Sequence, residues 1–301
     1  MPTKVSSTLK ILEERAAITQ AVRSFFIARS FLEVETPIRI PAPAPETHIE
    51  PQKSEGWFLQ TSPELCMKRL LASGCNNIFQ ICKCFRKGER GRLHLPEMTM
   101  LEWYRTNADY QQLMHDCENL LRFLIPNQNL VLGNKTINLN GPWLRITIDA
   151  AFKQFARMSL ETALSTDSFE EILVVDVEPK LGINTPVFLI DYPAEMASLA
   201  RLNPITPQTA QRFELYIDGI ELANGFSELN DPVEQRLRFE KEREVIHSAG
   251  RSAGPMPENF LNDLGAMPDS AGIALGLDRL VMLLTNSQCI DQVVTFTPET
   301  V

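Results

Sequence analysis

The hydrophobic pattern of this sequence predicts helices and strands in alternation. Apolar positions spaced by seven, four and three residues predict an amphipathic helix over residues 8–28. The apolar run at residues 31–40 predicts a strand that is interrupted at Pro37, which has no N–H to donate to a sheet. The same reasoning predicts strands at 57–60, 77–86, 97–104 and 187–193, helices at 62–74, 109–125 and 231–249, short strands within 129–148, helical runs within 149–180, and a strand leading into a helix over 271–284.

The segment Phe85–Tyr104 is the most informative one, because it contains a basic loop between two strand-like runs. This arrangement predicts an antiparallel hairpin with a basic tip. The glycines and basic residues of the tip are Lys87, Gly88, Arg90, Gly91, Arg92 and His94. Alternation along the returning strand places Glu102 and Tyr104 on one face, together with Met98 and Met100.

Glu102 needs a counter-charge if this face is buried. Taking an unpaired carboxylate out of water is costly, so we expect a cationic partner, which either the protein or a ligand could supply. The alternative is an outward-facing strand on which Glu102 is solvated.

A second hairpin is predicted at Asp218-Gly219, a dipeptide typical of two-residue turns. A turn at this point pairs Tyr216 with Glu221 and places Glu214 diagonally across from Glu221 on the same face. Two carboxylates this close repel each other unless a cation lies between them, and oxygen ligands on rigid strands suit Mg²⁺ that bridges phosphates. The alternative is a pair of solvated glutamates on an exposed face.

Three further polar or aromatic residues follow Glu221 on the returning strand. Strict alternation places Asn224, Phe226 and Glu228 on the opposite face. They can share a site with Glu221 only if the strand contains a bulge or a sharp twist, and we predict this irregularity at Gly225.

Two predicted helices begin where polar groups converge. Ser62 suits an N-cap, Pro63 the first helical position and Glu64 the positive end of the helix dipole, so this start could cap the helix or line a site. In GIALGLDR, residues 272–279, a small-residue strand leads into a helix with Arg279 in its first turn. Backbone N–H groups, the helix dipole and a guanidinium converge there, which predicts an anion site.

Composition and charge narrow the functional classes. The 301 residues are 44% hydrophobic and 22% charged, which is ordinary for a globular protein and fits one large domain or two small ones. The net charge is −9 and the pI is near 5.1. This acidity argues against a broad nucleic-acid-binding surface, because such binding depends on neutralising phosphates.

The sequence predicts a cytoplasmic protein without a membrane anchor. The start of the chain has no apolar signal core, and no run of eighteen apolar residues occurs. The six cysteines include Cys82 and Cys84, but their spacing is not that of a metal site. We therefore expect reduced thiols instead of a zinc site.

Four segments, taken in order, resemble the signature motifs of class II aminoacyl-tRNA synthetases. They are FLEVETP (31–37), FR with a loop leading to H-x-P-E (85–97), ELANGFSELND (221–231) and GIALGLDR (272–279). The resemblance covers residues 12–296 and is strongest to lysyl-tRNA synthetase. TSPELCMKRLL, FRKGERGRLHLPEMTMLEWY and ALGLDRLVML further resemble the elongation factor P β-lysine ligases, a paralogous family that consists of the catalytic core alone.

This resemblance implies an α+β fold, the class II synthetase catalytic core, with a mixed, mostly antiparallel sheet flanked by helices. It implies one catalytic domain over residues 1–301, without an anticodon-binding domain. The implied activity is an ATP- and Mg²⁺-dependent ligase that activates (R)-β-lysine, or lysine, as an adenylate and attaches it to a lysine side chain of elongation factor P. We also expect a homodimer and no stable tRNA binding. The alternatives are a truncated lysyl-tRNA synthetase-like enzyme that acts on tRNA and a catalytically idle regulatory paralogue.

The resemblance also implies roles for individual residues. Arg86 would hold the α-phosphate and the substrate carboxylate, while His94 and Arg279 would lie at the γ-phosphate, which makes the two arginines the implied catalytic residues. The implied nucleotide site comprises Arg86, Lys87, Gly88, Glu89, His94, Leu95, Met98, Glu221, Leu222, Gly276 and Arg279. The implied amino-acid pocket comprises Ser62, Pro63, Glu64, Glu102, Tyr104, Asn224, Phe226, Glu228 and Ala274, and the implied Mg²⁺ ligands are Glu214 and Glu221.

Four positions depart from the synthetase pattern. Gly88 stands where an acidic residue is usual, Leu95 replaces Asn, and Met98 replaces the Phe that stacks on adenine. Methionine can still contact a ring favourably. Ala274 stands in the floor of the implied amino-acid pocket, where synthetases have Gly and the ligase family has Ala.

Overall fold

The computed structural model describes residues 8–301, and residues 1–7, part of the start for which we expect no signal sequence, lie outside the described range. The helices are α1 (Leu9–Ile27), α2 (Glu64–Ala72), α3 (Tyr110–Leu124), α4 (Ile148–Phe155), α5 (Leu160–Ser165), α6 (Phe169–Ile172), α7 (Pro232–Ser248), α8 (Glu258–Leu264) and α9 (Leu277–Leu284). The strands are β1 (Leu32–Glu33), β2 (Arg39–Ile40), β3 (Lys53–Ser54), β4 (Trp57–Leu59), β5 (Asn77–Phe85), β6 (Glu97–Thr106), β7 (Asn129–Leu132), β8 (Lys135–Asn138), β9 (Leu144–Thr147), β10 (Val187–Pro193), β11 (Thr209–Ile217), β12 (Ile220–Ser227) and β13 (Ser270–Gly276).

The first of two compact units comprises residues 8–108 and 228–301. Its largest sheet has the strand order β1-β5-β6-β13. β1 is parallel to β5, whereas β6 is antiparallel to both β5 and β13. β5 and β6 form the predicted hairpin, in which Phe85 pairs with Glu97. A smaller antiparallel sheet has the order β2-β4-β3.

Helix α1 packs aromatic side chains against one face of this sheet. Phe26 is fully buried and stacks on Phe79 of β5, with ring centroids 4.9 Å apart, and it meets Trp103 of β6 at 5.1 Å. Successive side chains of a strand point to opposite faces. Glu102 therefore lies on the face of β6 away from α1, and this second face is the one available to a site.

The second unit comprises residues 109–227. Its sheet has the order β12-β11-β10-β9, with β9 parallel to β10 and the other neighbours antiparallel. Helices α4 to α6 bury an apolar core in which Phe152 stacks on Phe169 with centroids 5.4 Å apart. Each unit thus has a mixed, mostly antiparallel sheet with helices, as predicted; the expectation of a single catalytic domain stays a prediction.

The second hairpin has the predicted turn. Asp218 and Gly219 both adopt positive φ, 50° and 72°. This backbone suits a two-residue hairpin turn, whose twist matches that of the strands. Tyr216 pairs with Glu221, as predicted.

The bulge in β12 lies at Leu222, so its predicted position at Gly225 is wrong. Gly225 pairs regularly with Phe213, but the register shifts between the Tyr216–Glu221 pair and the next pair, Leu215–Ala223, which makes Leu222 the extra residue. Leu222 does not adopt positive φ, and a bulge residue with ordinary φ needs no glycine.

Helix α2 begins one residue later than predicted. Its first residue is Glu64, whose backbone N–H donates to Ser62 Oγ at 3.0 Å. Gly74 follows the helix with φ of 98°, the left-handed conformation that ends many helices. Among residues 8–301, no helix combines the length and the hydrophobicity needed to cross a lipid bilayer.

Candidate active site

A buried polar cluster occupies the face of β6 away from α1. Glu102 is 1% exposed. Ser62 donates a hydrogen bond to Glu102 Oε1 at 2.6 Å, and the Tyr104 hydroxyl donates to Oε2 at 2.9 Å. The alternative of a solvated Glu102 is therefore wrong. Its direct hydrogen-bond partners within the described part of the chain are hydroxyls, and the positive charge of Lys68 also acts on it.

The surroundings of Glu102 favour its neutral form. Burial raises the pKa of the Glu102 carboxyl to about 8, and the nearby Glu64 carboxylate adds to this rise. Hydrogen bonds from Ser62 and Tyr104 and the charge of Lys68 act in the opposite direction, with a smaller effect on the pKa. Such a carboxyl is mostly protonated at neutral pH, and a cation that binds beside it favours the carboxylate.

Lys68 of α2 lies between two further carboxylates of this cluster. Its Nζ is 2.6 Å from Glu64 Oε1 and 2.5 Å from Glu228 Oε2, and its side chain is fully buried. Burial opposes the charge of Lys68, but the two carboxylates outweigh it and raise the lysine pKa. The same burial raises the pKa of Glu228, and Lys68 opposes that rise.

Strand β13 forms the floor beside this cluster. Ala274 pairs with Glu102 and Gly272 pairs with Tyr104 across the two strands, so each pair shares a face. A Cβ at Gly272 would overlap the Tyr104 ring and a Glu228 carboxylate oxygen. Only glycine fits at position 272, and the small Ala274 sits next to the buried carboxyl.

Arg86 follows β5, and one N–H of its guanidinium group, that of Nε, has no hydrogen-bond acceptor among residues 8–301. Its backbone N–H donates to the Pro96 carbonyl at 2.9 Å, which fixes the start of the loop. Its side chain lies 3.8 Å from Glu89, yet Arg86 Nε and Glu89 Oε2 are both buried without a hydrogen-bond partner. A buried N–H donor without a partner is costly, and a phosphate or carboxylate ligand is a natural acceptor for it.

His94 and Arg279 meet at the start of α9. Arg279 Nη2 lies 2.6 Å from His94 Nε2, and Arg279 Nε donates to the Leu93 carbonyl at 3.3 Å. Gly276 is the N-cap of the helix, so backbone N–H groups of its first turn point to the same region. The structure thus brings together the residues predicted for the γ-phosphate and places them at a helix N-terminus.

Part of the basic tip is neutralised by carboxylates. Arg90 forms paired hydrogen bonds with Asp291 at 2.8 and 2.9 Å and also binds Glu299. Lys87 forms an ion pair with Glu50. These contacts hold the tip within the first unit. They also neutralise Lys87 and Arg90, so Arg92 and His94 are the other basic residues of the tip.

The second unit holds the predicted pair of metal-binding carboxylates. Glu214 is buried, with Oε1 accepting from Arg212 at 2.8 Å and Oε2 from Tyr216 at 2.7 Å. Burial raises the pKa of Glu214, and the Glu221 carboxylate adds to the rise. After the bulge at Leu222 the strand pairs Glu214 with Asn224, so Asn224 returns to the face of the two carboxylates.

The bulge also settles where the residues after Glu221 point. The extra residue shifts the alternation by one position, so Asn224 and Phe226 lie on the same face as Glu221. Without the bulge they would lie on the opposite face. Arg212 Nε donates to Asn224 Oδ1 at 3.2 Å. The bulge at Leu222 therefore has the effect that we expected from an irregularity at Gly225, and it lies three residues before that glycine.

A cavity of about 230 Å³ in the first unit is lined in part by Ser62. Apolar side chains form most of its wall: Ile40, Pro41, Ala42, Leu65, Pro255, Met256, Pro257 and Phe260. Gln60 also lines it, and its amide oxygen is buried without a partner, while its NH₂ donates to Lys83 O at 2.8 Å. The predicted amino-acid residues Glu102, Tyr104 and Glu228 do not line this cavity.

Sequence reasoning missed three residues that shape these clusters. Lys68, Gly272 and Arg212 each touch a predicted site residue. Lys68 follows Glu64 by four positions, a helical spacing that brings opposite charges together, and Arg212 precedes Glu214 by two on the same strand face. Gly272 carried no such signal, because its role depends on Tyr104 in another strand.

Residues 3–300 match the sequence profile described as tRNA synthetases class II (D, K and N). The chain belongs to this class II synthetase family. The family fold is α+β, which agrees with the sheets and helices of both units.

Relatives of this class II chain include proteins named elongation factor P–(R)-β-lysine ligase. The protein from Vibrio atlanticus is 38% identical over 311 residues, covering 97% of this chain and 96% of the relative. The protein from Salmonella typhi is 38% identical over 316 residues, and that from Salmonella paratyphi B is 39% identical over 315 residues, with the same shares covered. The similarity thus extends over nearly the whole length of both chains.

Proposed function

We propose that this chain activates (R)-β-lysine, or lysine, with ATP and attaches it to a lysine side chain of elongation factor P. The observation that carries the proposal is the buried carboxyl Glu102, whose hydrogen-bond partners among residues 8–301 are two hydroxyls and which lies near Glu64 and Glu228. A group in this environment suits a substrate ammonium group. The names of the relatives, aligned over 97% of the chain, support the choice of acceptor.

The proposed amino-acid pocket lies in the first unit, between the start of α2 and strands β6 and β13. The Glu102 carboxyl would lose its proton and accept the side-chain ammonium group, with Tyr104 and Ser62 fixing its orientation. Arg86, whose Nε has no protein partner, would hold the substrate carboxylate and the α-phosphate. This arrangement brings a carboxylate nucleophile and a phosphorus atom together, and positioning of this kind lowers the barrier of the first step.

In the first half-reaction, a substrate carboxylate oxygen attacks the α-phosphorus of ATP while the bond to pyrophosphate breaks. Negative charge moves onto the leaving pyrophosphate, where Arg279 and His94 would neutralise it. In the second half-reaction, the acceptor amine attacks the activated carbonyl carbon, AMP leaves, and the amine loses its proton. The product is an amide bond, and the chain needs no nucleophile of its own.

Glu214 and Glu221 would hold Mg²⁺, which would neutralise phosphate charge. Their fit rests on the donor set, because the Asn224 side-chain oxygen shares the face of the two carboxylates. Arg212 donates to Glu214 Oε1 at 2.8 Å and to Asn224 Oδ1 at 3.2 Å, so Mg²⁺ would take over acceptors that a protein cation holds in this structure. Within residues 8–301 no group of three or more His, Cys, Asp or Glu side chains is placed to bind a metal. Mg²⁺ commonly completes its shell with phosphate oxygens and water, so a two-carboxylate site suits it.

The proposal includes a homodimer formed by the region around Pro37. Several large apolar side chains in this region are exposed, including Leu32 at 58% and Ile27 at 59%. Ile38 and Trp57 are also exposed in the same stretch of the first unit. A dimer contact would cover such side chains, and two-fold dimers are the commonest assembly.

ATP–pyrophosphate exchange with a set of amino acids tests the activation step. We expect exchange with (R)-β-lysine and lysine and no exchange with norleucine, which has a side chain of similar length without the amine. Norleucine lacks the side-chain ammonium group and would therefore leave Glu102 without its cationic partner. Equal exchange with norleucine, or none with either lysine, would disprove this assignment of the pocket.

A further inference from the structure

Within the part of the chain that the structure describes, the first-unit cluster contains three carboxylates and one cation, Lys68. Glu64, Glu102 and Glu228 lie around Lys68, whose ammonium group contacts two of them. Glu102 is held by hydroxyls instead. With all groups ionised, three negative charges and one positive charge leave a net charge of −2 in a buried place.

A buried net charge must be compensated, either by protons or by a bound cation. Lysine and β-lysine each carry two ammonium groups, whose combined charge equals the deficit of the cluster. Without Lys68 the ionised cluster would have a net charge of −3. One carboxyl would then have to keep its proton when a substrate with two ammonium groups is bound. The number of substrate ammonium groups that the pocket can accept thus depends on Lys68.

We propose that Lys68 is a positioning residue that sets the charge of the amino-acid pocket, so that the pocket accepts a substrate with two ammonium groups. This inference rests on the proposed function. Lys68 holds Glu64 and Glu228 together and leaves Glu102 to take a substrate ammonium group. It does not touch the reacting atoms.

The groups that face Glu102 allow the pH dependence to be derived. The titratable groups around it come from α2, β5, β6 and the segment before α7, and they are Glu64, Lys68, Cys84, Tyr104 and Glu228. Strand β13 contributes the non-titrating Ala274 and Gly272. Glu102 and Glu228 each have a pKa of about 8, so below this pH a substrate with two ammonium groups must displace their protons, and affinity rises with pH until it levels off near pH 8.

Removal of Lys68 raises the pKa of its carboxyl neighbours, since its positive charge favours their ionised forms. In Lys68→Met we expect the midpoint of the pH dependence to move up by about one pH unit, because a cation in contact with the cluster is lost. Below the midpoint this shift weakens substrate affinity about tenfold. Raising the pH recovers the loss, which a merely structural defect would not do.

The experiment measures binding of (R)-β-lysine to the full chain by calorimetry, with KM and kcat from pyrophosphate exchange, between about pH 6 and about pH 8.5. Lys68→Met should raise KM with little change in kcat and should show no plateau near pH 8. Arg69→Met is the matched control, since this neighbour on α2 pairs with Asp263 and not with the cluster. Its midpoint should equal that of the wild type.

The double variant Lys68→Met/Glu64→Gln removes one positive and one negative charge, so it also tests the proposal if the single variant folds poorly. Its midpoint should return to near the wild-type value. A midpoint that stays at the wild-type value in Lys68→Met, or stays shifted in the double variant, overturns the role of Lys68 while the proposed function stands. If the wild type binds no diamino acid at any pH, the proposed function fails and this inference fails with it.

Discussion

Replacing Glu102 by glutamine should make the free energy of unfolding depend less on pH. The pKa of Glu102 is raised to about 8 from an ordinary value of 4.5, so the folded protein holds a proton that the unfolded chain releases above pH 4.5. This contribution to stability is complete below that pH and is lost as the pH rises towards 8. The wild-type free energy of unfolding therefore falls with rising pH in this window by about 1.4 kcal/mol for each pH unit from this group.

The side-chain amide in Glu102→Gln would keep the shape of the protonated carboxyl and could still bond to Ser62 and Tyr104. Between about pH 5 and about pH 7, the wild type should lose about 3 kcal/mol of unfolding free energy that Glu102→Gln keeps. Urea unfolding followed by tryptophan fluorescence, at one protein concentration and a series of pH values, measures this difference.

The control for this experiment is Glu97→Gln on the same strand. The Glu97 side chain is 55% exposed and pairs with Lys83 at the surface, so its substitution should give a curve nearly parallel to the wild type. If the Glu102→Gln curve were also parallel to the wild type, Glu102 would titrate normally and the argument for a neutral buried carboxyl would be refuted.

Three further predictions concern activity and assembly. Arg86→Ala and Arg279→Ala should each lower pyrophosphate exchange by roughly ten- to a hundredfold, because each removes charge-assisted bonds to phosphate; exchange near the wild-type rate would exclude these roles. Ala274→Gly should shift preference from β-lysine towards lysine by roughly ten- to two-hundredfold, since a methyl group beside Glu102 is removed. An unchanged ratio of the two kcat/KM values would contradict the placement of Ala274 in the amino-acid pocket. Light scattering at micromolar concentration should give twice the 34.0 kDa chain mass, and Leu32→Glu should reduce it to the monomer; a wild-type monomer would rule out the dimer.

The local pattern of the sequence was enough to predict the hairpins and their faces. β5 and β6 follow from strand-like runs around a glycine-containing loop, and the Asp218-Gly219 turn fixes the pairing of Tyr216 with Glu221. Alternation then placed Glu102 and Tyr104 together, which their hydrogen bond confirms. These features depend on neighbours close in sequence or on a turn of known geometry.

Features that depend on distant residues could not be predicted in this way. The raised pKa of Glu102 arises from burial and from the Glu64 carboxylate, which lies 38 positions earlier in the chain. The residue type gives no signal for the bulge at Leu222, because Leu222 does not adopt positive φ. Glycine was expected there because it tolerates irregular backbone, but the shift occurs beside the turn, three residues earlier.

The central claim is that the product of the activation step passes to a protein and not to tRNA. The most direct measurement offers the purified chain, with ATP and Mg²⁺, radiolabelled (R)-β-lysine or lysine, and either elongation factor P or bulk tRNA as the acceptor. We predict label on elongation factor P, more from β-lysine than from lysine, and unlabelled tRNA, in keeping with the net charge of −9. Charging of tRNA as readily as elongation factor P, or transfer to neither acceptor, would contradict this claim.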